Sequence, residues 1–219
     1  MIGWFGKSKH EAALPKELGP LGAGIGGALE IDFLSLEADV LGGEPAMALP
    51  KSGPFIIAAY GEVELDASTI LSRYYDEDHR LIQVISTTGK PGDPIDDISF
   101  YHPWDSVVPA GPGDWNRWTG PDGIIGQPRY DADGVVYHRF WSEGQGRADL
   151  VQFVETVDDG EAQREIHQTC MLYYRPLGTA REMLLINVER DLNYTQAQAG
   201  SSIEFLIGYG LGAADVRRV

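Results

Sequence analysis

The chain has 219 residues, and its 17 lysines and arginines stand against 33 aspartates and glutamates for a net charge of −16. That length holds one ordinary domain or two small ones, and the charge excludes a protein that coats nucleic-acid phosphates by general electrostatics. A lone cysteine, Cys170, excludes intrachain disulfides and multi-cysteine metal sites.

Reading from the N-terminus, residues 1–18 form a segment of their own. Met1-Ile-Gly-Trp4-Phe5-Gly-Lys7 sets aromatics beside lysines, and Trp4, Phe5, Lys7 and Lys9 are candidate contacts for a membrane surface or a protein partner. A frayed terminus with a buried Trp4 is the plain alternative. The first sixteen residues carry +2 and the remainder −18. Helical periodicity is expected over Lys9–Leu18. The longest strongly apolar stretch, Phe55 to Tyr60, falls far short of the ~18 residues of a spanning helix. With no signal-peptide hydrophobic region at the start, the protein is expected in the cytoplasm, at most peripheral to the inner membrane.

Gly22-Ala-Gly24-Ile-Gly26-Gly27 spells a dinucleotide fingerprint, but a strand-like Ala28–Phe33 follows where that motif needs a helix, so a glycine-rich lead into a strand is expected. Runs rich in Val, Ile, Phe and Tyr then predict strands at Phe55–Leu65, Thr69–Tyr75, Arg80–Thr87 and Asp97–Trp104. Pro109-Ala-Gly-Pro-Gly113 reads as a linker into a helical turn at Asp114–Trp118, with Asp114 placed to cap it. Further strands are expected at Val135–Trp141, Asp149–Val157, Arg164–Tyr174 and Glu182–Val188. Near the C-terminus, Ile203, Phe205, Ile207, Tyr209 and Leu211 alternate with Ser202, Glu204, Leu206, Gly208 and Gly210, the pattern of a half-buried strand. Asp133-Gly134 and Asp159-Gly160 are hairpin signals. The expected fold is mainly β (α+β), antiparallel, with a few short helices.

The two halves echo each other in order. Gly19-Pro20-Leu-Gly22 is matched by Gly120-Pro121-Asp-Gly123, Ile25-Gly26 by Ile125-Gly126, Tyr74-Tyr75 by Tyr173-Tyr174, Leu81–Val84 by Leu185–Val188, and Ile98–Phe100 by Ile203–Phe205, at offsets between 99 and 105. Ordered matches with a small drift fit two similar β-rich units in tandem, 19–108 and 120–219, joined by a linker at 109–119; shared β composition is the alternative.

No spacing compels a reaction. The histidines form no paired metal-ligand motif, there is no nucleophile elbow, and Cys170 shares an alternating run with Ile166, Gln168 and Leu172, as a small buried residue would. No catalytic residue, metal ligand or cofactor is expected. The candidate binding residues are Tyr74, Tyr75, Asp76, Asp78 and His79, where carboxylates and an imidazole gather between strands, and Trp115 and Trp118, three apart on one helical turn. Aromatics beside carboxylates can stack on a sugar, an amine or a partner; a turn, and a weld between two β units, are the structural alternatives.

The stretches Leu14–Gly22 with Ile25–Ala28, and Trp115-x-x-Trp118-x-Gly120-Pro121-x-Gly123-x-Ile125-Gly126-Gln127-Pro128, resemble the YjfK-like family of bacterial proteins of unknown function over nearly the whole chain. The resemblance brings no catalytic residues. It implies a product encoded near a phage-shock-protein-A-like coiled coil and a small membrane protein, and so an envelope-stress or membrane-associated accessory role. Two readings result: a non-catalytic module that binds a protein partner, or a small-ligand binder or enzyme with an acidic, aromatic-lined cleft between the two units.

Overall fold

The computed structural model describes residues 16–191 and 201–219. Trp4, Phe5, Lys7 and Lys9 lie outside these residues, as does most of the expected helix Lys9–Leu18; its described end, residues 16–18, has no regular structure.

Eight strands close on themselves. The first half supplies β3 (Ala59–Asp66), β4 (Thr69–Tyr75), β5 (Leu81–Ser86) and β6 (Ile95–Val107) as a consecutive antiparallel meander. The second half supplies β9 (Val151–Asp158), β10 (Gln163–Leu177), β11 (Ala180–Asp191) and β12 (Ser202–Gly210) in the same manner. Two antiparallel seams, β6 with β12 and β3 with β9, join the meanders into one barrel. The structure does not show two tandem units: each half gives four strands to one shared barrel. The echoed motifs fall on strands of equal rank, Tyr74-Tyr75 on β4 and Tyr173-Tyr174 on β10, Leu81–Val84 on β5 and Leu185–Val188 on β11, Ile98–Phe100 on β6 and Ile203–Phe205 on β12.

The register sets the width. Followed around the barrel, the pairing row leaves β10 at Gln163 and passes Asp158, Tyr60, Tyr74, Ile82, Phe100, Tyr209 and Glu182. It returns to β10 at Arg175, a stagger of 12 residues over eight strands. At ~3.3 Å rise per residue and ~4.8 Å between strands, that stagger tilts the strands about 45° from the axis. A strongly tilted eight-strand barrel is wide enough to hold a small ligand.

Both faces of much of the barrel wall are buried. Outward-facing Tyr60, Tyr74, Ile82, Phe100, Tyr173, Phe205 and Tyr209 pack beneath a cover made by described residues outside the barrel strands. The cover includes the small sheet of β1 (Ala28–Ile31), β2 (Gly53–Ile56) and β13 (Val216–Arg218), with helix α1 (Leu34–Asp39) beside it. It also includes helix α2 (Pro112–Thr119) and the hairpin of β7 (Arg129–Ala132) and β8 (Val135–Arg139). Phe33 meets Phe100 edge-on with centroids 5.0 Å apart, Trp118 meets Phe205 at 5.8 Å, and Tyr130 meets Tyr173 at 5.7 Å. Fully buried Glu182 accepts hydrogen bonds from the Tyr137 and Tyr209 hydroxyls, Arg175 Nε and the Ala46 N–H, tying the cover to the wall.

Local differences from the sequence reading have simple causes. The expected single strand Phe55–Leu65 breaks at Ile57-Ala58, where the chain passes from the small sheet into the barrel. Helix α2 starts at Pro112 with Gly111 as its cap residue, because proline suits the first helical position. Asp114 reaches back to accept from the Ala110 N–H instead of capping. The glycine-rich stretch 22–27 leads into β1, and the Asp133-Gly134 pair turns the β7–β8 hairpin with φ of 53° and 89°.

Candidate functional site

Alternation along each strand decides what faces the lumen. On β4, Leu71, Arg73 and Tyr75 point inward while Ser72 and Tyr74 point outward; their register partners on β5 continue both sets. The inward set is mixed. Leu81, Tyr101, Cys170, Leu172, Met183 and Leu185 form an apolar plug, and above it lies a polar network centred on Glu155, which is fully buried. Glu155 accepts from Arg73 Nη1 at 3.0 Å, the Tyr75 hydroxyl at 2.7 Å and Gln168 Nε2 at 2.9 Å. Arg73 also donates to Gln83 Oε1 through Nε and Nη2, and its guanidinium lies 5.1 Å from the Phe153 ring centroid.

Gly61 makes this pairing possible. It lies on β3 between Arg73 and Val157, in the row that separates β4 from β9, and a Cβ there would stand 1.8 Å from Glu155 Oε1. With no side chain at that point, the Glu155 carboxylate passes over β3 to reach Arg73.

Above the network is a cavity of about 560 Å³ lined by residues of all eight barrel strands. Its apolar wall is Leu81, Pro103, Val157, Ile166, Leu185 and Leu206 with the Tyr75 ring. Its polar groups are mostly acceptors. Glu189 Oε1 receives Asn187 Nδ2 at 2.9 Å and Gln168 Nε2 at 3.3 Å. Because carboxylates only accept, these contacts fix both amides with their nitrogens toward the glutamates. The amide oxygens, Gln168 Oε1 and Asn187 Oδ1, are buried and find no partner among the described residues. Asp76, Glu77, Asp159 and Glu204 add carboxylates around the cavity against Arg73 and Arg164.

Burial, reinforced by the charge of Glu155, raises the Glu189 carboxyl above its ordinary pKa. Below the ordinary carboxyl range the group is protonated in both folded and unfolded chains, and its burial carries no charge penalty. As pH rises through that range the unfolded chain releases its proton first, so stability falls until the folded group ionises too. Glu189→Gln is expected to flatten this loss: urea midpoints followed from acid to neutral pH should fall less in the variant than in the parent. Equal slopes would remove Glu189 from the account. Cys170, also inward, is buried and its thiol is pushed up to about 11 by desolvation, which leaves it a poor nucleophile.

The residues expected from sequence divide. Tyr75, Asp76 and His79 line the cavity. Asp76 is committed to its turn, accepting from the Asp78 and Arg80 N–H groups and Arg80 Nε, and His79 holds that turn with φ of 59°. Tyr74 points away from the lumen, where its hydroxyl donates to the Leu18 carbonyl and accepts from the Leu21 N–H. Asp78 is exposed, and Trp115 and Trp118 are half-buried against the outer apolar cluster. The acidic cavity is therefore inside the barrel, and the two tryptophans are on the far side of its wall. Arg73, Glu155, Gln168, Asn187 and Glu189 were not singled out by sequence; each is polar in an alternating strand, the pattern that ordinarily marks a solvent face.

A family model described as "Protein of unknown function (DUF2491)" matches residues 3–217. The chain belongs to the DUF2491 family. Over 192 residues this DUF2491 chain is 28% identical to the Uncharacterized protein YjfK of Escherichia coli (strain K12), an alignment spanning 86% of this chain and 84% of that protein. The resemblance read from the glycine-proline motifs is to the same group. No solved structure matches this DUF2491 chain. Among the described residues, no helix is long and apolar enough to cross a membrane and no cluster of three or more His, Cys, Asp or Glu is placed to hold a metal ion.

Proposed function

We propose that this chain is a small-ligand-binding barrel whose lumen takes a protonated amine with an apolar body. The observation that carries this reading is the pair of buried, unpartnered amide oxygens, Gln168 Oε1 and Asn187 Oδ1, beside the Glu189 carboxyl in a cavity with apolar walls. An unmatched buried acceptor costs about 1–3 kcal/mol, and an N–H donor from a ligand removes that cost. A cation is favoured over an anion because the lining carries more carboxylates than guanidinium groups. The size suits a small molecule.

The accessory reading, a protein-interaction module tied to envelope stress at the inner membrane surface, draws on Trp4, Phe5, Lys7 and Lys9, outside the described residues, and on Trp115 and Trp118. The cavity has the more specific chemistry and so takes precedence.

Thermal unfolding with n-hexylamine and with hexanoate at matched ionic strength tests the proposal. The amine should stabilise the folded chain, by about 2.7 kcal/mol at roughly 100 times its Kd, and the acid should not. Leu185→Trp, which fills the lumen, and Asn187→Leu, which removes an acceptor, should each reduce the gain. Equal response to amine and acid, or no response to either, would overturn the reading.

A further inference from the structure

Beyond the apolar plug, the barrel carries a second pocket of about 400 Å³ whose charge is inverted. Arg129, Arg139 and Arg181 line it with His138, against the single carboxylate of Glu143. The register explains their convergence. His138 on β8 is the Cα partner of both Arg129 on β7 and Tyr174 on β10, so these three side chains emerge on one face. Arg181, at the start of β11, brings its guanidinium within 5.4 Å of the Tyr174 ring centroid.

Arg139 is the fixed element. Its Nε donates to the Ser142 carbonyl at 3.0 Å, Nη1 to those of Gly126 at 2.6 Å and Gly146 at 2.8 Å, and Nη2 to that of Gly144 at 3.0 Å. The segment 142–146 wraps the guanidinium, with Ser142 at φ 67° and Gly144 at φ 110°. Four of its five N–H groups are satisfied by dipoles, which hold the side chain still and leave its formal charge unneutralised. Among the described residues, no carboxylate lies within ion-pair distance of Arg129, Arg139 or Arg181. In a chain with 33 acidic side chains, three arginines without a carboxylate partner in one concavity form a distinct electropositive site. Phe140 is 45% exposed beside them and meets Tyr174 edge-on at 5.6 Å.

We propose that this pocket is a second binding site, for a small organic oxyanion with a planar apolar group, held by the arginines with its ring against Phe140 and Tyr174. The planar guanidinium fork matches both phosphate and carboxylate oxygens. The site stands on different residues from the lumen cavity, and neither proposal depends on the other.

Isothermal titration of the full chain with phenyl phosphate, benzoate and inorganic phosphate, at an ionic strength held constant with sodium chloride, tests it. Phenyl phosphate or benzoate should bind more tightly than inorganic phosphate; whichever aryl anion is tighter identifies the preferred oxyanion, and either result supports the site. Arg129→Gln with Arg181→Gln, both exposed positions, should keep the parent's unfolding midpoint and weaken binding about tenfold or more, as expected for losing charge-assisted hydrogen bonds. Arg181→Lys, which keeps charge without the fork, should fall between. Unchanged affinity in the double glutamine variant, or no heat beyond that of added sodium chloride, would overturn the proposal.

Discussion

Glu155→Ala is expected to lower the unfolding free energy by roughly 3–5 kcal/mol, the range for removing one partner of a buried ion pair. The side chains of Arg73 and Glu155 are 2% and 0% exposed, so the variant leaves a guanidinium in the lumen with Gln83 as its remaining hydrogen-bond partner. It also strips the Tyr75 hydroxyl and Gln168 Nε2 of their shared acceptor. Urea denaturation of the single variant should be compared with that of Arg73→Met combined with Glu155→Leu. Removing both charges together should recover most of the loss, because paired burial of charge contributes little net stability even though breaking the pair is costly. A single-variant loss below about 1 kcal/mol, the usual worth of an exposed pair, would show that the lumen solvates Arg73 well enough without Glu155.

The second large effect concerns the position that lets this pair form. Gly61→Ala should cost roughly 1–3 kcal/mol by overpacking, toward the upper end. The added Cβ would lie 1.8 Å from Glu155 Oε1 and 2.8 Å from its Cδ, and the carboxylate is held by three hydrogen bonds that prevent an easy retreat. The same substitution in a Glu155→Ala background should cost much less, since the clashing atoms are gone; the difference between the two is the coupling energy. Equal costs in both backgrounds would place the requirement for glycine in the backbone instead of in the contact.

The sequence and the structure agree where local patterning decides. In β12 the alternation of Ile203, Phe205, Ile207 and Tyr209 marks the face buried under the cover, and Asp133-Gly134 turns its hairpin as the positive φ demands. Cys170, placed with Gln168 and Leu172 by period two, shares their inward face. The candidate site was legible only in part. Tyr75, Asp76 and His79 stood out because their residue types cluster along the chain. Arg73, Gln83, Glu155, Gln168, Asn187 and Glu189 lie on five strands and come together only through closure and stagger. Period-two reasoning supplies two faces but not which one a barrel encloses. Here apolar residues of the outer face are buried by the cover, and a row of polar side chains is turned inward. Helix α1 escaped notice because six residues give too short a periodic signal.

The two seams of the barrel set an order on its synthesis. The first meander leaves the ribosome with both outer strands, β3 and β6, paired on one side only; β9 begins at Val151 and β12 at Ser202. For that interval the nascent chain presents two bare strand edges and much of the apolar surface that the finished barrel conceals, the condition under which strands recruit the wrong partner. The three-pair seam at Tyr60–Glu62 is the shorter of the two. Ring closure there and at β6 must wait until the second meander exists, and holding chaperones should matter more to its yield than the modest size suggests.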